Sequence, residues 1–256
     1  MTLQPIWLTE DAPVHAFPDV DHAMIQPNGL LAVGGDLSPP RLLHAYHQGI
    51  FPWFSEGQPI LWWAPDPRAI LLPEALKISR SLKKTLRRET FQVSFDRAFP
   101  RVIQACSQPR ARQNDTWITD RMMTAYCELH ARGFAHSVEC WQDGALAGGL
   151  YGVAIGKIFF GESMFSRVSD ASKVALTALC RSGYELIDCQ LPSDHLKRMG
   201  ATDIPRNDFM RLLRCWRGAP NVELGVRDRA RHDGPRGTGQ AALFRHTGPR
   251  LQLPAG

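Results

Sequence analysis

The stretch HSVECWQ-DG-ALAGGLYGVAIG-KIFFGESMF, His136 to Phe165, constrains the fold more than any other part of the chain. Three largely apolar runs are separated by Asp143-Gly144 and by Gly156-Lys157. Asp-Gly suits a two-residue type I′ hairpin, because both central positions take positive φ. The spacing predicts a three-stranded antiparallel meander. Gly148 and Gly149 inside its middle strand predict a bulge or a close backbone approach. Asp170 stands where a cap would open ASKVALTALCRSG as a helix, with Gly183 as its stop. ELIDCQL then reads as a strand, SDHLKRMG as a short helix, and NDFMRLLRCW as a last helix capped near Asn207 or Asp208. The order β-β-β-α-β-α predicts an α+β fold with a sheet backed by helices.

Upstream, LLPEALKISRSLKKTLRRET predicts a helix from Pro73, FQVSFD a strand and AFPRVIQACSQ a helix. Another helix is expected from Thr119 to Arg132, stopped by Gly133. The first 65 or so residues are different, dense in turns and aromatics. Within them Leu37-Ser38-Pro39 looks like a helix entry, and the segment from Pro40 to Gln48 a short helix closed by Gly49. The division expected is a small N-terminal α/β domain at 1–66, a body at 67–217, and a tail at 218–256. The tail is Gly-, Pro- and Arg-rich without periodicity and is expected to be disordered.

Charge requires care at this point. The chain carries a net +5, but residues 217–256 hold seven arginines against three acids, so about +1 is left for the rest. Global charge is therefore no argument for nucleic acid; a local patch has to make it. One candidate exists. On a helical wheel Lys77, Arg80, Lys83, Lys84, Arg87 and Arg88 fall in one arc of about 140°, mostly opposite Ile78, Leu82 and Leu86. An unmixed cationic face of this kind suits a phosphate backbone as well as it suits a merely solvated helix.

No window approaches the ~18 apolar residues of a membrane span, and the N-terminus has no basic n-region. The expectation is a soluble, cytoplasmic protein. Six cysteines without close pairing point to reduced thiols, not to a disulfide framework or a zinc site. His44 and His47 could share a helix face, but no third metal ligand is evident.

Two polar intrusions into apolar runs carry the chemistry. In GESMF, Ser163 resembles the nucleophile of G-x-S-x-G, but Phe165 replaces the last glycine and the serine lies within a strand. Glu162 sits among large apolar neighbours, where an unpaired charge would be costly. It is either a core carboxylate paired with an arginine such as Arg167, or a pocket group that binds an amine. In ELIDCQL, Asp188 and Gln190 share a face with Leu186. They are either a structural hydrogen-bonded pair or a site in which a carboxylate and an amide handle an attacking amine. Trp53, Trp62, Trp63 and Trp117 lie in turn-flanked segments that could fill a core, stack a base or line a side-chain pocket.

PNGLLAVGGDLSPPRLLHAYHQGIFPWFSEGQPILWWAPDPR, TWIT, GGLYGVAIGKIFFGESMFSR, ASK and LIDCQ with HL and GA after it resemble the leucyl/phenylalanyl-tRNA–protein transferase family, over about Phe17 to Trp216. The resemblance implies transfer of Leu, less readily Phe or Met, from tRNA to the α-amine of proteins beginning with Arg or Lys, in N-degron proteolysis. It implies a C-terminal domain of the N-acetyltransferase (GNAT) type, action without metal, CoA or other cofactor, and a monomer. Carried over by motif, Asp188 and Gln190 are the catalytic pair, Asp188 attracting the amine's proton through Gln190. Glu162, Ser163, Trp53 and Trp117 would hold the aminoacyl end, while Leu150, Phe159 and Met164 line the side-chain pocket. Leu150 stands where some members carry Met. Ser163 is then no nucleophile, and no covalent enzyme intermediate is expected. The cationic face at 77–88 would meet the tRNA acceptor arm, an inference from the wheel and not from the resemblance. An acyl-CoA N-acetyltransferase would need a Q/R-x-x-G-x-G/A loop, which MFSRVSDASK lacks. A non-catalytic tRNA-binding protein would be expected to lack Asp188 or Gln190.

Overall fold

A computed structural model describes residues 4–108 and 118–224. Its chain opens with β1 (Ile6–Leu8), β2 (Leu30–Gly34), α1 (Pro39–His47), β3 (Phe51–Pro52) and β4 (Leu61–Trp63). The strands form a small mixed sheet in the order β1-β2-β4-β3, with β1 and β2 parallel. Helix α1 starts where Pro39 presets a helical φ, and it buries Leu42, Ala45 and Tyr46, the i, i+3, i+4 face of an amphipathic helix. Gly49, at φ 73°, turns the chain out of it.

The second sheet begins at once with β5 (Arg68–Leu71). Then come α2 (Arg80–Arg87), β6 (Gln92–Phe95), α3 (Phe99–Ser107), α4 (Asp120–Ala131) and the meander β7 (Ala135–Gln142), β8 (Ala145–Ile155) and β9 (Ile158–Ser166). After it follow α5 (Ala171–Cys180), β10 (Leu186–Gln190), α6 (Asp194–Arg198), β11 (Thr202–Ile204) and α7 (Arg206–Trp216). The seven strands run β11-β5-β10-β9-β8-β7-β6. Only β9 and β10 pair in parallel, joined through α5; their neighbours are antiparallel. The described residues thus form a mixed α/β structure with two mixed sheets and seven α-helices.

The meander forms as its sequence predicts, with Asp143 and Gly144 at φ 49° and 75° in the hairpin. Two bulges bend it. Ala147 is the extra residue between the Cys140–Gly148 and Trp141–Leu146 pairs. A Cβ on Gly148 would come within 2.6 Å of Ala171 Cβ, so glycine there lets the start of α5 lie against the sheet. The second bulge leaves Glu162 unpaired between the Gly152–Gly161 and Tyr151–Ser163 pairs. Pleat alternation then puts the two faces of the large sheet into separate cores. Tyr151, Ile158, Phe160 and Leu186 pack with Tyr46, Trp62, Tyr126 and Phe209. Leu150, Phe159 and Ile187 pack with α5 and with Leu82 of α2.

Several expectations require correction. From Pro73 there is only a 3-10 turn, Pro73–Ala75. The Lys77 amide then donates to Met199 O, which holds the chain extended until Ser79 caps α2 through Leu82 N. Asp170 occupies the N-cap position of α5, but its carboxylate accepts from Lys173 Nζ at 2.7 Å and Thr85 Oγ1 at 3.2 Å instead of capping. The last helix begins at Arg206 behind Pro205, not at Asn207 or Asp208. β11 is an addition to the expected elements; its three residues are too few for a periodic signal. Beyond Trp216, Val222 and Leu224 pack on the second core and Asn221 Oδ1 accepts from Gly156 N, so order continues to residue 224. The rest of the expected tail, 225–256, lies outside the described residues.

Candidate active site

A pocket of about 530 Å³ opens beside the bulges of β9 and β10. The part that takes an apolar group is made by Leu150, Phe159, Met164, Leu176, Leu179 and Ile187. Trp53, Ser163 and His195 also line it. Leu150, Phe159 and Met164 come to the same face although the bulge at Glu162 breaks strict alternation. That break moves Met164 away from Ile158 and Phe160 and beside Phe159.

Polar side chains from α1, α4 and β10 converge on Glu162 at the pocket. Glu162, 9% exposed, receives three donors: the Tyr46 hydroxyl at 2.7 Å, the Tyr126 hydroxyl at 2.9 Å and Gln190 Nε2 at 2.7 Å. The two tyrosine oxygens are themselves 2.5 Å apart. Burial pushes Glu162 up to about 7; the three donors pull it down and the Asp188 charge pushes it up. Arg167 is not its partner. That guanidinium lies over the Phe165 ring and donates to Leu146 O. A core carboxylate paired with arginine is thus the wrong description of Glu162, and the right one of its neighbour Asp188.

Asp188 is fully buried and takes Arg68 Nε at 2.8 Å and Nη2 at 2.6 Å, one on each oxygen. Its Oδ1 also accepts from the backbone N–H of Gln190 at 2.9 Å. The Arg68 guanidinium lies between the rings of Phe51 and Phe209, 4.7 and 4.6 Å from their centroids. A bulge after Asp188 and a φ of 63° at Gln190 turn the amide toward Glu162. Asp188 therefore reaches Gln190 through the main chain, and the side-chain amide donates to Glu162. Gln190 Oε1 has no partner among the described residues.

The tryptophans divide. Trp62 is buried core, its Nε1 bonded to Gly34 O. Trp63 donates to Trp53 O at 2.7 Å and packs beside the Trp53 ring, which lines the pocket at 40% exposure. Trp117 lies outside the described residues. No described residue hydrogen-bonds the Ser163 hydroxyl, so none is placed to activate it as a nucleophile. Lys77, Arg80, Lys83, Lys84, Arg87 and Arg88 are all exposed, and none joins an ion pair among the described residues. Lys77 precedes α2, so the cationic row is a helix face with an extended lead-in. Among the described residues no group of three His, Cys, Asp or Glu could hold a metal ion, and no helix is long and apolar enough to cross a membrane.

Sequence reasoning missed Tyr46, Tyr126 and Arg68. Nothing local marks the tyrosines, which meet Glu162 from 116 and 36 residues away. Arg68 did carry a signal: it is a lone charge opening the apolar run RAILL, the same anomaly that exposed Glu162.

A family model described as leucyl/phenylalanyl-tRNA protein transferase matches residues 70–214, and one for that family's N-terminal domain matches 35–66. A leucyl/phenylalanyl-tRNA–protein transferase of Nitrosomonas eutropha is 61% identical over 77% of this chain and 86% of its own. Proteins of the same description from Nitrosospira multiformis and Pseudomonas putida are 57% and 56% identical, over 81% and 84% of this chain and 90% and 96% of theirs. Among solved structures, L-PGS from Bacillus licheniformis aligns with a TM-score of 0.36 at 11% identity, over 64% of this chain and 54% of that one. That likeness is too slight to bear on the fold.

Proposed function

This chain belongs to the leucyl/phenylalanyl-tRNA–protein transferase family, which makes it an aminoacyltransferase, and from that premise we propose which substrates it joins and how. It takes Leu, less readily Phe or Met, from tRNA and attaches it to the α-amine of proteins beginning with Arg or Lys, marking them for N-degron proteolysis in the cytoplasm. It works as a monomer without a cofactor. The observation that carries this reading is the junction of an apolar pocket with a buried carboxylate and a carboxamide whose oxygen no described residue claims.

The donor's side chain enters the pocket of Leu150, Phe159 and Met164, where removal of apolar surface from water favours Leu and Phe over polar residues. Trp53 flanks the terminal adenosine, and Ser163 hydrogen-bonds the aminoacyl end. Gln190 Oε1 accepts a hydrogen of the acceptor amine and aims its lone pair at the ester carbonyl. Asp188 serves as a positioning residue: its oxygens are engaged by three N–H donors, and through one of them it fixes the Gln190 main chain. The amine adds to the carbonyl carbon, the C–N bond forms and the bond to the ribose oxygen breaks. Because the ester is already activated, positioning supplies much of the acceleration. The exposed cations at 77–88 would neutralise phosphates of the acceptor arm without reading sequence.

The two-part division at 66/67, with a GNAT-like body, is supported by the meander, the α5 crossover and the parallel β10. CoA is not the donor in this reading. The start of α5, where a pyrophosphate would sit, is occupied by the Asp170 carboxylate and packed against Gly148. The test is label transfer from leucyl-tRNA to a reporter with N-terminal Arg, beside one with acetyl-Arg. Labelling of the free amine alone is expected. Labelling of neither reporter, with tRNA binding intact, overturns the transferase reading of this chain's site.

A further inference from the structure

The contacts around Glu162 raise a question of hydrogen count. Glu162 Oε1, the Tyr46 hydroxyl, the Tyr126 hydroxyl and Glu162 Oε2 close a ring with three oxygen–oxygen contacts of 2.7, 2.5 and 2.9 Å. An ionised Glu162 leaves only the two phenolic hydrogens for three contacts, so one pair of oxygens would face each other bare. A protonated Glu162 supplies the third. Its hydroxyl donates to Tyr46, Tyr46 donates to Tyr126, and Tyr126 donates to Oε2, while Gln190 Nε2 donates to Oε1. All of this lies in a buried site where a missing hydrogen is expensive.

We propose that Tyr46, Tyr126 and Glu162 form a proton-holding ring, and that Glu162 takes the proton of the acceptor protein's α-ammonium group, closing the ring as it frees the amine to attack. The proposal rests on the transferase reading above and names the step that reading leaves open. The N–H bond of the ammonium breaks and the O–H bond of Glu162 forms. The neutral amine then attacks, and the proton it loses on forming the amide goes to the departing ribose oxygen. No other reactant is needed.

The surroundings suit this role. From α1 and α4, Tyr46 and Tyr126 face the carboxyl, and from β8 Tyr151 does. All three hydroxyls are pushed well above 10 by burial and then by the Glu162 charge, so they remain hydroxyls. From β10 come Gln190 and Asp188, the latter neutralised by Arg68 of β5. Glu162, at about 7, lies about one unit below an ordinary α-amine at ~7.7–8.0. The transfer is therefore uphill by about tenfold at most.

The test compares kcat/KM for an Arg-initiated peptide between pH 6.5 and 8.5 in wild type and Glu162→Gln, which keeps the shape but cannot take the proton. Wild type is expected to give a bell with its maximum between about pH 7 and 8, set by ionised Glu162 and protonated acceptor. The variant depends on amine already free in solution, a few per cent at pH 6.5 and about four-fifths at pH 8.5. Its rate should therefore climb more than tenfold across that range. A variant that keeps the wild-type bell, lowered by a constant factor, overturns the proposal. An independent measurement is the infrared carbonyl band of a buried carboxylic acid in wild type. It should grow as pH falls from 8.5 to 6 and be missing in the variant; its absence from wild type overturns the ring whatever the activity. Wild type that shows the band but transfers no leucine would instead refute the transferase reading.

Discussion

Two carboxylates sit on adjacent strands of the large sheet, and both are buried, yet they are handled in opposite ways. Asp188 on β10 has a countercharge, Arg68, on both of its oxygens. Glu162 on β9 has only neutral donors among the described residues, and burial pushes it to about 7. A carboxylate held on both oxygens by a buried guanidinium is suited to holding a backbone still. One surrounded by hydroxyls and an amide can change its proton state near neutral pH, which is what chemistry on an amine requires. Burial alone does not decide the role of a buried acid; the charge of its partners does.

The comparison breaks most visibly if the guanidinium is removed. Arg68→Met leaves Asp188 buried and unpaired and should destabilise the protein by about 3–5 kcal/mol, read from urea unfolding. The double variant Arg68→Met/Asp188→Leu should recover most of that loss. If Arg68→Met costs nothing, the Arg68–Asp188 pair does not hold this part of the fold together.

The Glu162 side of the comparison appears in stability against pH. Its folded value, about 7, lies above the ordinary 4.5, so between those limits the folded state binds more protons than the unfolded one. Stability from this group is then full below about 4.5, falls as pH rises toward 7, and levels off above, a loss on the order of 3 kcal/mol. Glu162→Gln should lack that slope when unfolding midpoints are compared at several pH values from 5 to 8. A parallel slope in both proteins would mean that Glu162 does not carry the proton.

Gln190 joins the two acids and should matter to rate more than to fold. Gln190→Ala is expected to lower kcat/KM by about 10²-fold or more, through weaker positioning of the amine, with a small change in unfolding midpoint. A variant within threefold of wild type would remove Gln190 from the mechanism.

The smallest effect belongs to the exposed charges of α2, which join no ion pair among the described residues. Lys83→Gln/Lys84→Gln should weaken tRNA binding modestly and flatten the plot of log affinity against log salt by about 0.7–0.9 for each phosphate no longer neutralised. An unchanged salt slope would leave that face solvated and nothing more.

Much of the meander and of the pocket's identity was legible in the sequence. Asp143-Gly144 has few alternatives to a tight hairpin, and a glutamate inside IFFGESMF or an aspartate inside ELIDCQL has to be explained by a partner or a purpose. Helix starts were less legible. Pro73 opened only a 3-10 turn because Lys77 pairs with Met199, and Asp170 gave its carboxylate to Lys173 and Thr85. In both places a distant or competing partner outweighed a local signal.

The sequence by itself determined which side chains are out of place in an apolar strand, because local hydrophobicity and turn chemistry act over a few residues. Tertiary structure alone decided which acid received an arginine and which received two tyrosines. Arg68 and Asp188 are 120 residues apart, and Tyr46 and Glu162 are 116 apart. Their pairings depend on strand order, on the bulges at Ala147, Glu162 and Cys189, and on which face of each helix the cores bury. The partner sets the proton state of a buried carboxylate, so the chemistry of this site appears only once the chain has folded.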